Sequence, residues 1–236
     1  MPARHGWIAD ELEHAGRENL DAAHAARYDD KEDAGAAAEL ATLRRLGLDR
    51  SATVVDLGAG TGQFALAAAG AFARVVAVDV SAVMLDRLRA KLRRDGSENV
   101  ECVTAGFLTY EHRGAPPDLV YSRYALHHLP DFWKAIALRR IAELLRPGGI
   151  LRLWDVLYGF EPAEAEAHIE QWIAQTASDA LGDGWTRAEL EEHVRDEHST
   201  FTWLLEPMLE RAGFVIEEAE RSDDRIFARY TCVKAP

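Results

Sequence analysis

The stretch Val54-Val55-Asp56-Leu57-Gly58-Ala59-Gly60-Thr61-Gly62-Gln63-Phe64, followed by Val75-Val76-Ala77-Val78-Asp79, indicates the fold. Its two runs of β-branched residues predict buried strands, and a loop with glycine at every second position leads from the first strand into a helix. Because glycine has no side chain, a flat ligand can lie against the main chain of such a loop. Asp79 ends the second strand, where a carboxylate can accept hydrogen bonds from ribose hydroxyls. The stretch therefore predicts a nucleoside-binding strand–loop–helix–strand unit.

The spacing of the glycines separates this loop from two common phosphate-binding loops. A dinucleotide-binding loop has the pattern G-x-G-x-x-G, but Gln63 stands where its third glycine would be. The G-x-x-x-x-G-K-[ST] pattern of a phosphate cradle is absent as well. From Asp56 to Gly62 the pattern is D-x-G-x-G-x-G. It leaves two interpretations, a nucleoside site of another kind or a glycine-rich turn with a purely structural role.

The composition narrows the class of protein. The 236 residues are 48% hydrophobic, which is enough for one α/β domain with an insertion. The formal net charge of −13 argues against DNA or RNA as the main partner, because phosphate binding needs a basic surface. Cys102 and Cys232 lie far apart in apolar runs, so we expect buried free thiols in a reducing compartment. The N-terminus lacks an apolar signal core and no run approaches about 18 apolar residues, so we expect a cytoplasmic protein without a membrane partner.

The order of predicted elements divides the chain into four parts. Residues 1–50 are expected to form helices outside the sheet. In residues 51–155 strands alternate with helices, which indicates an α/β fold with a mostly parallel, doubly wound sheet. Residues 156–200 interrupt this alternation with a helical insertion. Residues 201–236 add a helix, in which Pro207 suggests a kink or a restart, and two strands whose short connection predicts an antiparallel pair.

Three motifs together resemble the class I S-adenosylmethionine (SAM) methyltransferases. The first is the glycine loop with Asp79, and the others are Leu126-His127-His128-Leu129-Pro130-Asp131 and Leu144-Leu145-Arg146-Pro147-Gly148-Gly149. They resemble in particular the motifs of ubiquinone/menaquinone-type and natural-product enzymes. The resemblance implies a Rossmann-like sheet of seven strands with an antiparallel last strand. It also implies that the N-terminal helices and the 156–200 insertion cover the acceptor site.

The resemblance further implies which residues bind SAM and its product S-adenosylhomocysteine (SAH). Amide groups of the glycine loop suit the amino acid end of the ligand, and Asp79 suits the ribose. Val80 and Met84 would line the adenine, unless they are core residues. Many members place an aspartate after the third strand to accept from the adenine amino group, but residues 103–108 contain no acid, so backbone groups there would take that role. The predicted set is Tyr28, Asp56, Gly58, Ala59, Gly60, Gly62, Asp79, Val80, Met84, Gly106 and Phe107.

The residues expected to serve catalysis are His128, His127 and Tyr124, which follow the fourth strand at the edge where α/β sheets bind ligands. An imidazole there could take a proton from a hydroxyl, amine or carbon acid, or it could simply pack. We expect no metal site, because neighbouring histidines point apart. His193 and His198 do not have the spacing of helical metal ligands either, and both are expected at the surface.

The predicted function is transfer of a methyl group from SAM to oxygen, nitrogen or carbon of a small-molecule acceptor, by a monomer or a homodimer. Three alternatives stay open at the level of sequence. The same fold can use SAM without methylating, and the chain could be a catalytically silent SAM-binding module. A nicotinamide-dependent dehydrogenase is disfavoured by Gln63.

Overall fold

The computed structural model describes residues 6–16, 35–178 and 184–235, within which eight strands form a sheet flanked by helices. The strands are β1 (Thr53–Leu57), β2 (Arg74–Asp79), β3 (Val100–Thr104), β4 (Leu119–Arg123), β5 (Ile150–Tyr158), β6 (Thr200–Phe201), β7 (Phe214–Arg221) and β8 (Phe227–Lys234). The helices are α1 (Ala36–Arg45), α2 (Gln63–Ala69), α3 (Ala82–Asp95), α4 (Asp131–Leu144), α5 (Ala165–Thr176), α6 (Arg187–Asp196) and α7 (Thr202–Ala212). Short 3-10 turns at Leu126–His128 and Pro162–Glu164 precede α4 and α5.

The sheet has the order β3-β2-β1-β4-β5-β8-β7, and β6 pairs with β5 outside this path. The first five strands are parallel, whereas β8 is antiparallel to both β5 and β7. The predicted α/β fold with an antiparallel end is therefore confirmed. The structure adds an eighth strand to the seven expected, because Thr200 and Phe201 pair with the end of β5. A run of two residues is too short to show a strand period in the sequence.

The order of strands places the site. Strand order reverses at β1, which lies between β2 and β4, so the loops that leave the carboxyl ends of these strands diverge and open a crevice. The glycine loop follows β1, and Asp79 is the last residue of β2. The turn with the two histidines follows β4. Three of the segments selected from the sequence thus meet at one edge of the sheet.

Alternate side chains of the strands enter apolar layers on the two faces of the sheet. Val54 and Val75 belong to the layer that includes residues of α1, α2 and α3. Val55 and Val76 belong to the opposite layer, under α4 and α7. A third, smaller cluster, which includes Trp172, joins the helical insertion to the end of β5. This alternation is the period of two expected for strands that are covered on both faces.

The N-terminal part is less helical than predicted within the residues described. Residues 6–16 form turns, and α1 is the helix that precedes β1. A buried ion pair joins α1 to the sheet, since Arg152 Nε of β5 lies 2.6 Å from Glu39 Oε1. Arg152 Nη1 also donates to Thr231 Oγ1 at 2.6 Å. The guanidinium therefore connects α1, β5 and β8.

Local signals in the sequence explain where two of the helices begin. Ser81 Oγ accepts from the Met84 N–H at 3.2 Å and begins α3, while Thr186 and Glu189 form the predicted capping box of α6. α7 runs through Pro207 as one helix. Both cysteines are free, with Cys232 buried as expected and Cys102 only half-buried. Among the described helices, none is long and apolar enough to cross a membrane.

Candidate active site

An open cavity of about 670 Å³ lies at the carboxyl ends of β1, β2 and β4. Nine of the residues selected from the sequence line it, namely Gly58, Gly60, Asp79, Val80, Met84, Gly106, Phe107, Tyr124 and His128. The other lining residues are Glu11, Ala15, Ala105, Arg123, Ala125 and Leu129.

The glycine loop presents bare main chain to the cavity. Gly58 and Gly62 are needed for packing, because a Cβ would lie 2.2 Å from Ala125 Cβ at the first position and 2.1 Å from Leu88 Cδ1 at the second. A Cβ on Gly60 would meet no heavy atom within 4 Å, although its φ of +53° is one that side chains rarely adopt. Gly60 is therefore the position at which the absence of a side chain keeps space open for a ligand.

Asp79 holds the loop in place from the neighbouring strand. Its Oδ2 accepts the Gly60 N–H at 2.8 Å, and its Oδ1 accepts the Ser81 N–H at 2.7 Å. Ser81 forms the side-chain cap of α3, so Asp79 is not needed for that task. Burial raises the pKa of Asp79, against the effect of these backbone donors. Each carboxylate oxygen has a further lone pair with which to accept from a ligand.

Three residues of the predicted set lie beneath the cavity and do not line it. Asp56 is 2% exposed, and its pKa is raised to about 8 by burial and by the negative charge of Asp79, against a hydrogen bond from the Ala65 N–H. Ala59 donates its N–H to Val78 O at 3.0 Å, and Gly62 packs against Leu88. They support the loop from below. Tyr28 lies outside the described residues.

Beyond β3 the cavity wall contains an acid that the sequence analysis missed. Glu11 is 6% exposed and lies against Gly106, where a Cβ would be 2.3 Å from Glu11 Oε1. Its Oε2 accepts the Leu108 N–H at 3.1 Å. Glu11 stands almost a hundred residues before Gly106 in the sequence, although the two are in contact in the fold. No local motif surrounds Glu11, so the sequence offered no signal for this contact.

His128 and His127 have different surroundings although they are adjacent. His128 lines the cavity, and its buried Nδ1 has no hydrogen-bond partner among the described residues. Burial, together with the charge of His127, lowers the pKa of His128 to about 3, so this imidazole is neutral. His127 does not line the cavity, and its ring centre lies 4.3 Å from that of His128.

His127 is held between two carboxylates. Its Nδ1 is hydrogen-bonded to Asp155 Oδ1, and its Nε2 lies 2.8 Å from Glu197 Oε2. Burial alone would lower the pKa of His127, but the two carboxylates outweigh that effect and raise this pKa to about 10. The same contacts hold the pKa values of Asp155 and Glu197 below their usual range, although burial opposes this.

Glu197 also contacts His193, whose Nδ1 lies 2.5 Å from Glu197 Oε2. The side chain of His193 is only 18% exposed, so the expectation of a surface residue is wrong for His193. The relevant spacing was that of His193, in α6, and Glu197, four residues later at the end of this helix, which brings the two side chains into contact. The spacing of His193 and His198, which are five residues apart, gives no indication of this pair.

Tyr124 contributes an aromatic part of the wall. Its φ is +50°, in the left-handed region that is uncommon for a residue of this size. Its ring centre lies 5.5 Å from that of Trp154, and the Arg123 guanidinium lies 4.5 Å above the Tyr124 ring. This turn at the end of β4 aims both side chains at the cavity.

Comparison with known proteins fits this arrangement. A family profile described as a methyltransferase domain matches residues 54–149. The chain is 32% identical over 173 residues to 27-O-demethylrifamycin SV methyltransferase of Amycolatopsis mediterranei, an alignment that covers 70% of this chain and 61% of that enzyme. It is 30% identical to an uncharacterized methyltransferase of Mycobacterium bovis over 156 residues, which cover 60% of this chain and 75% of that protein.

The chain belongs to the class I SAM-dependent methyltransferase family. The fold agrees, since magnesium protoporphyrin IX methyltransferase of Synechocystis, solved with SAM bound, superposes with a TM-score of 0.66. That likeness covers 98% of this methyltransferase and all of the other chain at 14% identity, so it concerns the fold alone. The predictions of a methyltransferase fold and of a methyltransferase enzyme are thereby confirmed.

Proposed function

We propose that this methyltransferase binds SAM in the cavity described above and transfers the methyl group to oxygen, nitrogen or carbon of a small-molecule acceptor. The observation that supports this most directly is the contact between Asp79 and Gly60. A carboxylate bonded to the loop amide at 2.8 Å stands beside main chain that no side chain covers. This arrangement fits a nucleoside whose ribose meets the carboxylate and whose flat parts lie against the backbone.

The residues present suit each part of the ligand. When bound, SAM supplies a methyl group on a sulfonium centre that is already activated for in-line displacement. The Asp79 carboxylate would accept from the ribose hydroxyls. Val80, Met84 and Phe107 would cover the faces of the adenine, since all three line the cavity. Asp56 would keep the loop in its conformation from beneath, and Ala59 with Gly62 would do the same through backbone contacts.

We further propose that Glu11 replaces the acid that is missing after β3. Its carboxylate lies next to Gly106 on the cavity wall, beside the segment after β3 in which the resemblance places an aspartate for the adenine amino group. Glu11→Gln should then weaken SAH binding, and should weaken binding of the inosine analogue less, because that analogue lacks the amino group. Glu13→Gln is the matched control, because Glu13 is exposed. Equal losses for both ligands would exclude this role.

For catalysis, the chain has to align the acceptor and take up its proton where it has one. Alignment of reacting atoms is worth up to roughly 7–11 kcal/mol in favourable cases. His128 is the proposed proton acceptor, because its neutral imidazole lines the cavity; its low pKa makes it a weak base, so it would take a proton that methylation itself acidifies, as on an oxygen acceptor. Tyr124 would orient the acceptor from the adjoining wall, and His127 would position His128 from behind. The proposed acceptor lids are the N-terminal segment and the helical insertion.

The test compares ligands by calorimetry. We expect the purified protein to bind SAH at micromolar concentration or tighter and to bind NAD only weakly. Asp79→Asn should weaken SAH binding, whereas Asp86→Asn should not, because Asp86 is an exposed residue of α3 paired with Arg89. NAD binding without SAH binding would refute the proposal. Unchanged SAH affinity in Asp79→Asn would refute the ribose assignment.

An acceptor screen distinguishes methyl transfer from the two other uses of SAM that the sequence left open. A methyltransferase releases SAH in step with a product that is 14 mass units heavier than the acceptor, on general chemical grounds. An enzyme of the same fold that uses SAM without methylating would convert its substrate without that mass change. A silent SAM-binding module would bind SAH and convert no compound.

A further inference from the structure

A cluster of two imidazoles and one carboxylate lies behind the cavity wall. His127 comes from the turn after β4, His193 lies in α6, and Glu197 is the residue that follows α6. Glu197 Oε2 lies 2.8 Å from His127 Nε2 and 2.5 Å from His193 Nδ1, and all the possible ligand atoms lie within 4.8 Å of one another. The three side chains are between 5% and 18% exposed. The cluster is therefore compact and largely withdrawn from solvent.

The surrounding groups orient the two imidazoles. Asp155 accepts from His127 Nδ1 and also from the His127 backbone N–H at 3.1 Å, so the ring is fixed with Nε2 directed at the cluster. His193 Nε2 lies 3.3 Å from Ser199 Oγ, which leaves Nδ1 for the cluster. A histidine whose second nitrogen is bonded to a carboxylate or hydroxyl is the usual arrangement around a protein-bound metal ion.

The charge of the cluster also favours a cation. Asp155 is 1% exposed and Glu197 is 14% exposed, so two carboxylates surround one imidazole with little water to stabilise them. Within the described residues, the ion-pair partners of Glu197 are the two histidines. A divalent ion would take the place of the proton on His127 Nε2, because a ligating imidazole is neutral, and would bring two positive charges to the two carboxylates.

We propose that His127, His193 and Glu197 bind one divalent transition-metal ion of the zinc type. Two imidazole nitrogens and one carboxylate oxygen form a ligand set that Zn²⁺ prefers, and three protein ligands leave a fourth position open. The ion joins α6 of the helical insertion to the turn after β4, directly behind the His128 ring that lines the cavity. This proposal departs from the sequence expectation that the chain has no metal site.

The first experiment measures binding of Zn²⁺ to chelator-treated protein without a histidine tag. By calorimetry and elemental analysis we expect one equivalent of Zn²⁺ per chain. The Glu197→Gln and His193→Gln variants should lose more affinity than the about 10–100-fold expected when a supporting hydrogen bond is removed, as in Asp155→Asn. His198→Gln is the matched control, because it removes a neighbouring histidine that is not part of the cluster. It should bind Zn²⁺ as the wild type does.

Two further readouts separate metal binding from folding and from the proposed function. Co²⁺ bound to the wild type should give visible absorption typical of four-coordinate nitrogen and oxygen ligation. Zn²⁺ should raise the melting temperature of the wild type but not that of Glu197→Gln. SAH binding by Glu197→Gln shows that this variant is folded, and it tests the proposed function independently. Absence of stoichiometric Zn²⁺ binding by the wild type, or equal binding by wild type and Glu197→Gln, would show a hydrogen-bonded cluster without metal and would overturn the proposal.

Discussion

Two alanine substitutions in the glycine loop, at Gly58 and at Gly60, should affect stability and ligand binding differently. Gly58 and Gly60 both have positive φ, +78° and +53°, so alanine at either position costs about 1–2 kcal/mol of backbone energy. Only at Gly58 does the new methyl group also collide with the protein, since its Cβ would lie 2.2 Å from Ala125 Cβ. The side chain of Ala125 is a single methyl group that cannot rotate away from the new one. The turn after β4 would therefore have to move.

The expected magnitudes differ accordingly. Overpacking of this kind costs about 1–3 kcal/mol, so Gly58→Ala should lower the free energy of unfolding by about 2–5 kcal/mol in total. Gly60→Ala should lower it by about 1–2 kcal/mol only. Its methyl group would instead occupy the cavity, and a steric conflict with the ligand of about 1–3 kcal/mol weakens SAH binding roughly 5- to 150-fold.

The assay is urea denaturation of the free proteins, followed by SAH calorimetry well below the denaturation midpoint. Gly96→Ala is the control for backbone energy alone, because Gly96 has a φ of +68° at the end of α3 and no heavy atom near its Cβ position. It should resemble Gly60→Ala in stability and the wild type in SAH affinity. Wild-type SAH affinity in Gly60→Ala, or equal loss of stability in Gly58→Ala and Gly60→Ala, would refute the reasoning.

Three further predictions concern buried charge and the cavity wall. Arg152→Met removes the closest partner of the buried Glu39 carboxylate and leaves it the more distant Arg229 Nη1 at 3.7 Å, so the free energy of unfolding should fall by at most on the order of 3–5 kcal/mol in urea denaturation. Adding Glu39→Leu should return part of this loss. The folded chain raises the pKa of Asp56 to about 8, so it holds a proton that the unfolded chain has released, and the free energy of unfolding falls as the pH rises toward 8. Asp56→Asn removes this fall. The free energy of unfolding of the variant, relative to that of the wild type, should therefore be greater at about pH 8 than at about pH 5 in denaturation experiments. His128→Gln should leave SAH binding unchanged in calorimetry and lower kcat for an identified acceptor by about 100-fold or more.

Each of these predictions has an outcome that contradicts it. If adding Glu39→Leu to Arg152→Met restores no stability, the loss of the closest counter-charge of Glu39 is not the cause. A constant stability difference between Asp56→Asn and the wild type across the pH range would mean that Asp56 does not hold a proton in the fold. Unaltered kcat in His128→Gln would exclude a proton-accepting role.

Features that depend on neighbours in sequence were predictable. The β-branched runs ending in Asp56 and Asp79 became β1 and β2, because strands buried on both faces need little more than apolar side chains in sequence. Ser81 began α3 because a capping hydroxyl acts on an amide three residues later. The loop between these elements requires glycine at position 58, because a Cβ there would collide with Ala125. The motif shows that a glycine stands at this position but does not show the reason.

Features that depend on distant contacts were not predictable. Glu11 reaches Gly106 across the fold, and β6 exists only because β5 extends beyond the predicted residue 155 and offers a free edge. The cluster around His127 forms only when α6 packs beside the turn after β4. Its one local signal, the spacing of His193 and Glu197, is common on helices that bind nothing.

The two charged side chains buried along β5 constrain the register in which that strand can pair with its neighbours. Arg152 and Asp155 differ by an odd number of positions, so they lie on opposite faces, one bonded to Glu39 and the other to His127. A shift of the β5 register by one residue would place the guanidinium among leucine side chains. It would also separate Arg152 and Asp155 from the groups that now balance their charges. A sheet with β5 in such a shifted register would be destabilised by uncompensated buried charge. The two charged side chains therefore favour the observed register of β5 during assembly of the sheet.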